Sequence, residues 1–195
     1  MSVIAAYYYN AGKRIREIAL DERFEQDEAR SGFCWIALRE PSADELHTLQ
    51  AAYHLHPLAV DNAMHPLCPP KLEVYNDELY IVAQTAELVG DKISYGKTAI
   101  FTGHNHLITA RHGNGGALGN LREQLEASPT LLGKGVDYVL HAILHRIVDQ
   151  YLPIFEMSED DVLAMEKRSI DDFLGRDEVA RIFSLRGELT RFQRT

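Results

Sequence analysis

From Val136 onward, apolar residues fall three and four places apart: Val136, Val139, Leu140, Ile143, Leu144, Ile147, Val148, Tyr151 and Leu152. That is the stripe of one helix face. A stripe this long needs an apolar surface to cover it, and the preceding chain offers short runs of strand length, Val3 to Tyr9, Arg14 to Leu20 and Phe33 to Leu38, bounded by Gly, Asp or Pro. The pattern predicts an α/β fold, a mixed sheet with flanking helices in residues 1–132, followed by a long helical arm over 133–195. Pro153 should kink or interrupt the arm, whose periodicity continues to about Phe173. Gly175 then ends the helix, and Asp177 can cap a second one running back antiparallel, which is still periodic at Thr195. A pattern cut in mid-repeat predicts a fragment of a longer protein.

The body carries local signals for its elements. Ser42 can cap a helix with Glu45 reaching back to its amide, and Leu46, Leu49 and Tyr53 follow at helical spacing. Pro57 suits the first turn of a short segment ending at Met64. Asn76-Asp77 divides two apolar runs, Lys71 to Tyr75 and Glu78 to Leu88, predicting a hairpin whose second arm is a central strand. Another hairpin is predicted from Ile93 to Arg111, turning at Gly103-His104-Asn105, residues that tolerate positive φ. Leu118, Leu121, Leu125 and Leu131 predict a short helix broken at Ser128-Pro129.

Charge narrows the function classes. Twenty basic against 29 acidic residues leave a net charge of −9, which argues against nucleic acid as a partner, because phosphate binding needs clustered Lys and Arg. Divalent cations suit such a surface better. Only two cysteines are present, Cys34 and Cys68, so no disulfide framework is predicted. No run approaches the roughly 18 apolar residues of a membrane span, so the fragment itself is expected to be soluble and cytoplasmic.

Several motifs fail on inspection. Gly96-Lys97-Thr98 resembles the end of a phosphate loop, but Asp91 stands where the first glycine belongs and a strand follows instead of a helix. The glycine-rich run from Gly113 to Gly119 has Leu118 where a dinucleotide fingerprint requires glycine. No G-x-S-x-G elbow occurs and neither cysteine shows signs of activation, so no enzyme activity is expected. His104 and His106 could share a metal on an extended segment, yet two ligands make no site. The acidic runs Glu159-Asp160-Asp161 and Asp171-Asp172 read first as solvated helix faces. His141, His145 and Asp149 are four apart, which places three possible ligands in one stripe of the long helix beside its apolar seam. Packed, hydrogen-bonded histidines would give the same spacing.

The order of segments carries a resemblance. Phe33-Cys34-Trp35-Ile36-Ala37-Leu38, Pro41 with Glu45-Leu46, His56-Pro57-Leu58-Ala59-Val60-Asp61-Asn62 and Pro70-Lys71-Leu72-Glu73 resemble the cytosolic domain of CorA-type magnesium transporters. Asn76 to Val82, Leu107 to Arg111 and Val136 to Leu144 continue that family's blocks in order. The resemblance covers about residues 30 to 194. It implies an α/β/α cytosolic domain, feeding a stalk helix and two C-terminal membrane helices of a homopentameric inner-membrane channel. It also implies Mg2+ as transported and regulatory ion, with Co2+ or Zn2+ as alternatives, and a metal-sensing gate between neighbouring domains. A zinc transporter of the same superfamily, or a free-standing soluble metal-binding protein, is the alternative reading. The family's acidic pair after the His-Pro-Leu block falls on Asp61 and Asn62, and a later family aspartate falls on His145. An amide and an imidazole thus stand where the family has carboxylates, which implies weaker magnesium binding and a softer ligand set. Without its membrane helices the fragment is expected to be monomeric or weakly dimeric.

Overall fold

The computed structural model describes residues 2–22, 32–65, 68–90, 92–113 and 118–171, together with 175, 176, 179, 180, 182, 183, 186, 187 and 190. Within them, β1 (Val3–Asn10), β2 (Lys13–Glu17), β3 (Gly32–Arg39), β4 (Lys71–Tyr75), β5 (Glu78–Val89), β6 (Lys92–Thr102) and β7 (His106–Gly113) form one sheet. The strand order is β2-β1-β3-β7-β6-β5-β4. Only β3 and β7 pair in parallel, with Trp35 opposite Leu107 and Ile36 opposite Ile108; every other neighbouring pair is antiparallel. A parallel pair needs a long crossover, and helices α1 (Ala43–Tyr53) and α2 (Pro57–Met64) with the β4-β5-β6 meander supply it.

The local signals explain the elements. Ser42 and Glu45 form the reciprocal cap, Ser42 N donating to Glu45 Oε2 at 2.8 Å and Glu45 N to Ser42 Oγ at 3.3 Å, an arrangement that contributes about 1 kcal/mol. Asn76 turns the β4-β5 hairpin at φ 55°. The β6-β7 turn works differently from expectation. Neither Gly103 nor Asn105 adopts positive φ; glycine is needed because a Cβ there would lie 2.6 Å from the His106 ring. Strand β2 also stops at Glu17, short of Leu20, since Ile18 turns inward and is buried in the core. The apolar β5 is interior but one place from the edge, with β4 outside it.

Helices cover both faces of the sheet. One core joins Leu46 and Leu49 of α1 and Val60 and Ala63 of α2 to Cys34, Ile36, Leu38 and Phe101. The opposite core joins Trp35, Tyr9, Ile100 and Leu107 to α3 (Leu121–Glu126), α4 (Pro129–Leu132) and α5 (Val136–Asp149). Alternate side chains of β3 thus serve opposite cores, which is why its sequence is an unbroken apolar run. Val136, Val139, Ile143 and Ile147 form the buried seam of α5, each contributing about 1.5–3 kcal/mol on burial.

The helical arm is interrupted at Gln150 and Tyr151, and α6 (Leu152–Asp171) starts afresh with Pro153 in its first turn. There the missing amide of proline is harmless. Tyr151 Oη donates to the Gln84 carbonyl at 2.7 Å, and Ile154 is fully buried beside Ala86, so the joint is anchored on β5. Farther along, Phe155 and Leu163 are exposed. The second helix of the arm, predicted from Asp177, falls largely outside the described residues.

Candidate metal centre

The α5 stripe runs along the helix face away from the buried seam. His145 Nδ1 lies 3.0 Å from Asp149 Oδ2, with side chains 65% and 45% exposed. The His141 ring stands one turn earlier, its centroid 5.9 Å from that of His145, and it lies 6.3 Å from Tyr138 on its other side. Leu121, Leu125 and Arg146 help to line the shallow depression of about 430 Å³ beside these groups. The fold therefore joins two of the three stripe residues directly. An imidazole and a carboxylate form a borderline donor pair, better suited to zinc, cobalt or nickel than to magnesium, which prefers oxygen alone.

Asp61 and Asn62 are in the middle of α2, Asp61 exposed and Asn62 half-buried. Helix α2 packs on one face of the sheet and α5 on the other. Metal ligands stand within about 2–2.6 Å of their ion, so no single ion can reach both groups within one copy. Among the described residues, no cluster of three or more His, Cys, Asp or Glu side chains could hold a metal ion. His104 and His106 do not combine either, because His104 is exposed while His106 is buried 5.3 Å from the Tyr53 ring. Burial lowers the His106 pKa to about 4. It is therefore neutral near pH 7, and its 3.7 Å approach to Glu78 is not an ion pair there.

One residue that supports α2 escaped the sequence reading. Lys97, set aside there as a false phosphate-loop lysine, lies only 3% exposed on β6. Its Nζ donates to the carbonyls of Ala63 at 3.0 Å and Asn62 at 3.4 Å, and also to that of His65. These carbonyls belong to the C-terminal end of α2, which lacks further helical donors and favours a cation. Burial pushes the ammonium pKa below its ordinary value. The available signal was a lysine between the apolar Tyr95 and Ala99-Ile100-Phe101.

Comparison with known proteins fits this architecture. The family model described as "CorA-like Mg2+ transporter protein" matches residues 30–195. The chain is 27% identical over 174 residues to "Putative metal ion transporter YfjQ" of Bacillus subtilis, covering 89% of this chain and 53% of that one. It is similar in fold to the soluble domain of CorA from Methanocaldococcus jannaschii (TM-score 0.69, 21% identity, 95% of this chain and 72% of that chain). It is also similar to the ZntB cytoplasmic domain from Vibrio parahaemolyticus (TM-score 0.72, 13% identity, 99% and 74%). The chain spans about half the length of the curated relatives it matches.

Proposed function

This chain belongs to the CorA-like Mg2+ transporter family, and from that membership we propose that it is the cytosolic regulatory domain of a divalent-cation transporter. The family match over most of the chain carries this reading. Magnesium or cobalt is the first assignment for the transported ion, in keeping with the name of a second curated relative, a cobalt/magnesium transport protein of Methanocaldococcus jannaschii that is 22% identical over 163 residues. The His145–Asp149 pair favours the second, a zinc or other softer cation.

The division of the candidate ligands between two sheet faces motivates the regulatory part of the proposal. Asp61 and Asn62 of one copy would meet His141, His145 and Asp149 only across a contact between copies, as in a pentameric ring. An ion held there stabilises the assembled, closed arrangement by its differential affinity for that arrangement. Losing the ion releases carboxylates that repel one another. No catalytic group is required.

Calorimetric titration of the chain with ZnCl2 and MgCl2 tests this reading. Zinc should bind measurably, and His145→Ala or Asp149→Ala should weaken binding about tenfold, since each removes one of few donors. Magnesium should respond only at millimolar concentration. Tight zinc binding with no magnesium response would move the assignment to zinc; no response to zinc would remove the His145–Asp149 pair as a metal-binding group, and the regulatory role across copies is tested by ion flux through the assembled protein.

A further inference from the structure

A second concavity lies on the α3 face of the sheet, away from the candidate ligands of α2. It has a volume of about 330 Å³ and is lined by Arg14 of β2, Arg111 of β7 and Arg122 of α3, with Tyr7 and Trp35 among its walls. Such a volume is at the small end of the range for ligand pockets. Two of the three, Arg14 and Arg122, lie over aromatic rings. The Arg122 guanidinium carbon is 4.9 Å from the Trp35 ring centroid and 5.6 Å from that of Tyr7, while that of Arg14 is 4.7 Å from the same Tyr7 ring.

The local charge is unusual for this chain. Against three arginines the lining has two carboxylates, Glu123 and Glu126, giving a local balance of +1 in a chain whose net charge is −9. Glu126 is already engaged, accepting from Tyr9 Oη at 2.7 Å and lying 3.7 Å from Arg14. The Arg122 Nε is buried and makes no hydrogen bond. Arg111 and Arg122 are both partly desolvated, and burial lowers their pKa values, reinforced at Arg111 by Arg39 and Arg122 and partly opposed at Arg122 by Tyr9 and Glu126. Collecting guanidiniums in one partly closed space is costly unless an anion is drawn in, and a planar fork with spare donors matches the oxygens of a phosphate.

We propose that this cavity binds a small phosphate-bearing anion through Arg14, Arg111 and Arg122. Free inorganic phosphate and the terminal phosphate of a nucleotide share the required chemistry. The inference does not depend on the transport reading, because it uses none of the metal candidates.

Trp35 is the only tryptophan of the chain and lines the cavity, so its fluorescence reports occupancy. The 195-residue chain would be titrated with sodium phosphate and separately with ATP, at constant ionic strength maintained with NaCl. A saturable change in emission is expected with at least one of the two, and which one responds identifies the source. Arg122→Gln should weaken that binding about tenfold or more, the scale of a lost charge-assisted hydrogen bond. Arg122→Lys, which keeps the charge and loses the fork, should give an intermediate value. Arg14→Gln, at an exposed rim position, provides a second variant whose fold is not at risk and should also weaken binding. A response to neither probe, a response reproduced by NaCl alone, or affinity unchanged in both Arg122→Gln and Arg14→Gln would overturn the proposal.

Discussion

Replacing Lys97 by methionine is expected to lower the unfolding free energy by about 3 kcal/mol, the scale of stranding buried carbonyl acceptors that had a charged donor. Methionine preserves most of the aliphatic stem, so the change isolates the ammonium group. In the native protein that group ties β6 to the end of α2 through the carbonyls of Asn62, Ala63 and His65. Urea unfolding gives the free energy, and amide hydrogen exchange should show the loss concentrated in α2. Because Asp61 and Asn62 are on that helix, the same variant should loosen one half of the candidate metal site. An unchanged urea midpoint would mean that water replaces the ammonium at no cost and that the lysine does not anchor α2.

Acid should destabilise the protein through His106 before most carboxylates titrate. This imidazole has its pKa depressed from 6.5 to about 4 by burial. Between those values the unfolded chain binds a proton that the folded chain refuses, so stability falls as pH falls. The contribution is intact above pH 6.5 and is lost progressively toward pH 4, amounting to about 3 kcal/mol when integrated. Glu78, 3.7 Å away, is half-buried and has its pKa raised by desolvation, so it offers reduced compensation for an imidazolium. His106→Phe can retain ring packing near Tyr53 and Gly103 while removing the titration. Its stability should be nearly flat where the wild type declines. Parallel pH profiles of the two proteins would show that His106 does not cause the decline.

The features legible in the sequence were those set by neighbours along the chain. The Ser42–Glu45 cap, the Asn76 turn and the α5 seam each depend on residues within a few positions, and each appears where the spacing placed it. Features that depend on strand order were not legible. Nothing local specifies that β3 lies beside β7 in parallel, yet this pairing and the alternation of β3 decide which helices share a face. Hence Asp61 and Asn62 are separated by the sheet from His145 and Asp149. Lys97 was missed for the same reason, since its partners are 32 to 35 residues earlier in sequence. Arg14, Arg111 and Arg122 likewise come from three separate elements. At Gly103 the residue type was read correctly but its cause was not: space for the His106 ring, not positive φ, requires glycine there.

The most direct test of the transport account is divalent-ion flux into vesicles containing the product of the complete reading frame that includes this chain, followed with an encapsulated magnesium-sensitive dye. The account predicts flux down a magnesium or cobalt gradient that is suppressed as the concentration on the side of this domain rises, with suppression weakened by Asp61→Ala or His145→Ala. Absence of flux for magnesium, cobalt and zinc alike, or suppression unchanged in both variants, would contradict it.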